Sequence, residues 1–299
     1  MKRIIKNALV YSVKLPHAAA MEECLKLLPH SEMSPHSATK SAFVPHPVTG
    51  ALVTHLHGGL AFMLRRDEKV VPKSAVMELV AQKLAAMDVE KPGTKLMAEL
   101  KEDALSELLP QALIRTAFVD AFYHPESGTL AVNTPSKQKA GIFNGALLHC
   151  VEAMESTTLN ISGIKRGLTT RLREYLEANN TDAFGEFELG NRVQLSGPNR
   201  VKAVFHTADM QGAHDGILEA FRTGAMEVDR IDLGLGPVQF ALTHDFQIKQ
   251  IHYEEDAAEE AEDVIGAWII EASAQMMMLV GAVQELVKAF QRKEDQDGN

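Results

Sequence analysis

The chain has 299 residues, 45% hydrophobic and 23% charged. This is the composition of a soluble globular protein, and it is too long for a single hydrophobic core. The net charge of −10 is uneven: residues 251–299 hold 12 acidic and 3 basic residues, whereas residues 1–75 hold 5 acidic and 10 basic. The acidity therefore lies at the C-terminal end, and the body is free to carry a basic face. Cys24 and Cys150 form no CxxC, which excludes a disulfide-stapled scaffold and suits a reducing cytoplasm.

Lys2 and Arg3 precede an apolar stretch in the manner of a signal peptide. Lys6 and Lys14 interrupt it and no cleavage site follows, so residues 4–13 are expected as a strand. Residues 21–28 read as a short helix before Pro29, and 30–41 as a loop around Pro35. Residues 52–57 and 60–66 flank Gly58-Gly59 as a hairpin. Two helices follow within residues 73–109, joined by Lys91-Pro92-Gly93-Thr94 as an αα-hairpin, with Ser74 expected as the N-cap. In the second, Leu100, Ala104, Leu105, Leu108 and Leu109 share one face until Pro110 ends the pattern.

Residues 118–123 and 129–132 read as strands, and 136–152 as a helix with Ala140, Phe143, Leu147 and Leu148 on its apolar face. A short helix is expected over 169–179 and another over 217–222. Strands are expected over 231–235, 238–243 and 247–253. Residues 264–283 have the length of a membrane span. Glu271, Ser273 and Gln275 stand inside it, and a mid-span carboxylate costs about 3 kcal/mol in lipid. Ile265, Trp268, Ala272, Met276, Leu279, Val283, Leu286 and Phe290 follow helical spacing, so a buried or interface helix is expected.

Catalytic motifs are sparse. His55-Leu56-His57 places two imidazoles on one strand face, with His46 near in sequence, but neither HExxH nor a carboxylate-rich pattern accompanies them. Gly234-Leu235-Gly236-Pro237 lacks both the dinucleotide fingerprint and the P-loop lysine, and reads as a hairpin turn. No GxSxG is present, and neither cysteine has a protease context. The basic runs are more informative. Lys165, Arg166, Arg171 and Arg173 stand within nine residues without an acid, and residues 191–208 contain Arg192, Arg200 and Lys202, again without an acid. Such patches hold phosphate backbones without reading bases, although a solvated surface is the commoner use of charge.

Four stretches, in order over residues 4–150, resemble one bacterial family, the recombination-associated protein RdgC. They are Lys6-Asn7 with Tyr11; Phe43-Val44-Pro45 with residues 52–55 and the run 65–72; residues 100–113 followed by Ile114-Arg115; and residues 132–140. Beyond residue 150 the match thins: Trp268-Ile269-Ile270-Glu271 stands where the family carries Phe-Asp-Ala-Asp.

The resemblance implies an α+β fold with an elongated, horseshoe-like subunit. Residues 1–72 and 117–160 would form a strand-rich centre, 73–116 a helical-hairpin tip, and 161–299 an α/β base with the long C-terminal helix. It implies no catalytic residue and no cofactor. Two subunits would close a ring around double-stranded DNA without sequence preference and modulate RecA-dependent recombination, in the cytoplasm at the nucleoid. The expected DNA contacts are Lys6, Arg65, Lys69, Arg115, Lys137, Lys139, Lys165, Arg166, Arg171, Arg173, Arg200 and Lys202. The expected dimer contacts are Leu109, Pro110, Leu113, Trp268, Met276 and Leu279. The alternatives are a structural or protein-interaction dimer that has lost DNA binding, and a metal-dependent enzyme using His46, His55 and His57.

Overall fold

A computed structural model describes residues 3–87, 91–151, 156–158, 164–178, 180–207, 210–254 and 263–291. Among the described residues, two antiparallel sheets and seven α-helices make an α+β architecture. The first sheet contains β1 (Leu9–Val13), β2 (Thr39–Val44), β3 (Val53–Leu56), β4 (Gly59–Val70), β5 (Leu113–His124), β6 (Thr129–Val132) and β7 (Ser156–Thr158). Its order is β2-β4-β5-β6-β1-β7, with β3 also on β4. β4 and β5 pair from Leu60 opposite Tyr123 to Val70 opposite Leu113. β2 and β3 lie end to end along the other edge of β4. β2 was not expected, because its first residues fall in the stretch read as loop, and β5 begins before the expected 118–123 because its outer part has mixed polarity.

Alternation sends Leu60, Phe62, Leu64, Val119, Ala121 and Tyr123 to one face, where Met21 and Leu25 of α1 (Ala18–Leu25) and Phe143 and Leu147 of α4 (Lys137–Cys150) cover them. Ser136 caps α4 by accepting from the Lys139 N–H. Helices α2 (Lys73–Ala86) and α3 (Thr94–Leu108) pack on each other through a small core of Val80, Leu100 and Ala104. The expected Ser74 cap is not used: the cap position is Pro72, two residues earlier, with an extended backbone, and no side chain caps the helix. Proline fixes φ and has no N–H to donate, so the turn into the helix is set there.

The second sheet is ordered β12-β11-β10-β8-β9, from β8 (Glu188–Ser196), β9 (Lys202–His206), β10 (Glu227–Leu235), β11 (Val238–Thr243) and β12 (Ile248–Tyr253). Its apolar face meets α5 (Ile164–Glu177), α6 (His214–Thr223) and α7 (Val264–Gln291) in one core that includes Leu172, Phe221, Ile231, Leu242 and Leu286.

Helix α7 joins the two sheets. By length and composition it is the one described helix able to cross a bilayer, but Ala272, Met276, Leu279 and Val283 are buried in the protein's own core. Ser273 Oγ accepts the His57 N–H at 2.9 Å beside the β3–β4 turn. Gly58 turns with φ +82°, and a β-carbon on Gly59 would lie 2.5 Å from Met276 Cε, so the Gly-Gly pair serves both the turn and the helix approach. Residues 4–8, expected as the start of β1, form instead an extended strap. The Ile4 and Ile5 N–H groups donate to Gln275 Oε1 at 2.9 Å each. The Lys6 and Asn7 N–H groups donate to Asn133 Oδ1 at 3.0 and 3.3 Å, and Ala8 exchanges two backbone bonds with Ile248 at 2.7 and 3.0 Å.

Candidate nucleic-acid interface

The outer ends of β4 and β5 carry the first group of cations. Alternation puts Arg65, Asp67 and Lys69 on the face opposite Leu64, and Arg66 and Glu68 on the same face as Leu64. Arg65 Nε donates to both Asp67 oxygens, at 3.0 and 3.1 Å, and Thr116 Oγ1 donates to the same carboxylate at 2.6 Å. Burial disfavours the Asp67 charge, but these bonds outweigh it and hold the carboxyl below its ordinary pKa. Arg115 Nη2 meets Glu68 at 2.7 Å on the other face. Lys69 Nζ donates to the carbonyls of Ser34 and Pro35, and Lys40 Nζ to Ser31 Oγ and the Glu32 carbonyl. Their charges are thus met by neutral oxygens and remain available to an anion. Lys40 was not expected, since it sits at the end of the stretch read as loop; its place on β2 opposite Asp67 brings it to the Arg65 face.

A second group flanks the seam between the sheets. Lys6 is held through its backbone to Asn133, and Lys137 and Lys139 begin α4 just beyond. Lys137 is paired with Asp245 at 2.6 Å. Burial works against the Asp245 charge, but hydrogen bonds from Lys137 and Thr243 hold its pKa down to about 2. Lys6 and Lys139 are exposed and make no ion pair among the described residues. The third group is Arg200 and Lys202 at the β8–β9 turn, also exposed; Arg200 adopts φ +62°.

Helix α5 requires a correction. Arg171 is 7% exposed, donates to the carbonyls of Ala183 and Ala289, and lies 4.6 Å over the Phe290 ring. Burial lowers its pKa, opposed by Glu174. It ties α5 to α7 and has no path to a ligand. Arg173 is exposed and stacks on Phe221 at 5.1 Å. Lys165 and Arg166 lie on α5, with side chains outside the described residues.

The expected dimer contacts divide. Leu113 is 83% exposed and Pro110 is exposed, whereas Leu109 is buried. Trp268, Met276 and Leu279 are buried inside this chain's own core. Their apolar stripe follows the expected helical spacing, but it packs inside this chain's own core, with Trp268 on His46 and Met276 at Gly59, so none is open to a second subunit. The histidine constellation also dissolves. His46 stacks on Trp268 at 4.3 Å, and burial pushes its pKa down. Among the described residues no group of three His, Cys, Asp or Glu is placed to hold a metal ion.

These features define an α+β protein with two sheets joined by one helix, with several exposed cations that have no carboxylate partner among the described residues. The comparisons are more specific: a family model described as "Putative exonuclease, RdgC" matches residues 4–293, and the chain belongs to the RdgC family. It is similar to the recombination-associated protein RdgC of Neisseria gonorrhoeae (strain NCCP11945), 27% identical over 207 residues, covering 68% of this chain and 67% of the relative. It is also similar to the proteins of that name from Neisseria meningitidis serogroup C (strain 053442), 25% identical over 206 residues with the same coverage, and Janthinobacterium sp. (strain Marseille), 23% identical over 255 residues and 82% of each chain.

Proposed function

We propose that this protein binds double-stranded DNA without reading its sequence, closing around it as a ring-shaped homodimer, and that it modulates RecA-dependent recombination in the cytoplasm at the nucleoid. In this reading residues 1–72 and 117–160 are the centre of a horseshoe-like subunit, 73–116 its tip and 161–299 its base. The observation that carries the reading is the family match over residues 4–293, with relatives whose name links them to recombination. Lys6, Lys69, Lys139, Arg200 and Lys202 support it as cations without a carboxylate partner among the described residues. Phosphate contacts of this kind are steeply salt-dependent and nearly blind to sequence.

The test is fluorescence anisotropy with unrelated duplexes across a salt series. Similar affinities and a steep negative slope of log K against log salt are expected. Charge reversal at Lys139, Arg200 and Lys202 should lower affinity for every duplex alike and flatten the slope by about 1 per lost contact. No duplex binding at micromolar protein in low salt would remove the reading. The neutralisation of Arg65, Arg115 and Lys137 by Asp67, Glu68 and Asp245 favours a second reading, a protein-interaction dimer that has lost DNA binding; it predicts the dimer without the affinity. Incubating labelled duplex with the protein and magnesium or manganese tests the exonuclease description, which mononucleotide release would support.

A further inference from the structure

β6 pairs only with Ala121–His124 of β5. From Leu113 to Val119, β5 therefore has β4 as its one strand neighbour among the described residues, and its other edge is open. Such an edge offers unpaired N–H and C=O groups, and proteins ordinarily guard it with lysine, proline or a bulge. This one has no lysine, proline or register shift. Its single charge, Arg115, is met by Glu68, while Leu113, Ile114 and Phe118 are 83%, 51% and 55% exposed.

We infer that this edge pairs antiparallel with the same edge of a second copy, about a two-fold axis at Thr116, so that the first sheets of two subunits become one continuous sheet. The inference rests on the homodimer reading above and specifies where and how two copies meet.

Three features of the strand select that register. The Asp120 carbonyl accepts the Asn133 N–H, so it points to the open side, and by alternation Ile114, Thr116 and Phe118 also direct their N–H and C=O outward. An axis at Thr116 then sets Thr116 against its own copy and Ile114 against Phe118 of the partner subunit on either side, every pair able to exchange both bonds. The pairing is isologous, and it joins an aliphatic to an aromatic side chain twice. Arg115 falls opposite Ala117 of the partner subunit, so the two guanidinium groups do not meet. Moving the axis to Arg115 would place them face to face, and moving it to Ala117 would set Ile114 against the Asp120 carboxylate; both are unfavourable.

The full chain carrying Thr116→Cys, in a Cys24→Ser background with Cys150 buried, tests this by mild oxidation. Hydrogen-bonded antiparallel partners sit about 5.5 Å apart at Cα, within disulfide reach. A disulfide-linked dimer is expected, at least tenfold more abundant than from Arg115→Cys, which lies off the axis. Thr116→Pro removes an outward N–H that β4 does not use; the dimer dissociation constant should rise at least tenfold while the monomer keeps its circular dichroism spectrum. If the wild-type protein is monomeric by light scattering, the dimer reading and the edge pairing fall together. If it is a dimer whose cross-linking is no stronger at residue 116 than at 115, or whose affinity survives Thr116→Pro, the edge pairing alone is overturned.

Discussion

At the scale of single residues, the same side-chain type takes opposite roles according to its partners. Arg171 and Arg173 are two positions apart on α5, yet one is enclosed between two carbonyls and a ring while the other lies in solvent over Phe221. Arg171→Met should leave the Ala183 and Ala289 carbonyls unpaired and cost about 2 to 4 kcal/mol, read from the urea midpoint. Duplex affinity per folded molecule should not change. Asp245 gives a pH prediction. Its pKa in the fold is about 2, below the ordinary 3.8. Its stabilisation is therefore complete above pH 3.8 and is lost as pH falls through about 2. Lys137 is largely exposed, so Lys137→Met should cost no more than about 1 kcal/mol at pH 7. Thermal melts should show the difference from wild type shrinking below pH 3.8 and vanishing below about pH 2. Asp120 has the opposite sign: burial raises its pKa, and Oδ1 is buried without a hydrogen-bond partner among the described residues. Its charge is penalised at neutral pH, so Asp120→Asn should stabilise there, with the gain fading as pH falls through the raised pKa towards 3.8 and absent below it.

At the scale of elements, the strap of residues 4–8 and helix α7 determine how the two sheets are joined. Gln275 is fully buried and serves two backbone donors of the strap. Gln275→Leu preserves the helix and its packing volume but leaves both donors without that acceptor, at a cost of about 2 to 4 kcal/mol. Hydrogen exchange should accelerate at the amides of Ala8, Ile248 and Ile251, which the strap pairs, more than at core amides of β4. Uniform acceleration would mean global destabilisation instead of a released strap. The helical hairpin contrasts with this. Its three-residue core of Val80, Leu100 and Ala104 buries little apolar surface, and Leu100→Ala should loosen α2 and α3 before either sheet responds.

At the scale of the whole molecule, uneven charge makes the proposed DNA binding compatible with a net acidic chain. The acids of residues 251–299 account for nearly all of the −10, and among the described residues the cations without a carboxylate partner lie on the β4–β5 face, the seam and the β8–β9 turn. Leu113→Asp puts a carboxylate on the most exposed apolar side chain of the strand proposed to pair. It should weaken the dimer and the retention of circular duplex DNA while leaving thermal stability within about 0.5 kcal/mol. Unchanged association and retention would remove Leu113 from the contact.

Periodicity was enough for most elements. The αα-hairpin, the Gly58-Gly59 turn, α4 and the long helix α7 were all legible, because short-range spacing and turn chemistry determine them. Residues 4–8 were misread as strand because their partners, Gln275, Asn133 and Ile248, are distant in sequence. The candidate site was legible as a set of cations but not as an arrangement. Lys139, Arg200 and Lys202 stayed open, Arg65 and Lys137 acquired carboxylates, and Arg171 went inside. Likewise the apolar stripe of Trp268, Met276 and Leu279 announced burial but not what would bury it. The sequence by itself determined the fold class, the main elements, the charge asymmetry and the family resemblance, because these are local or compositional properties. Which cations remain unpaired, which apolar residues face solvent and which strand edge lacks a neighbour were decided by tertiary structure alone, because each depends on contacts between segments far apart in the chain.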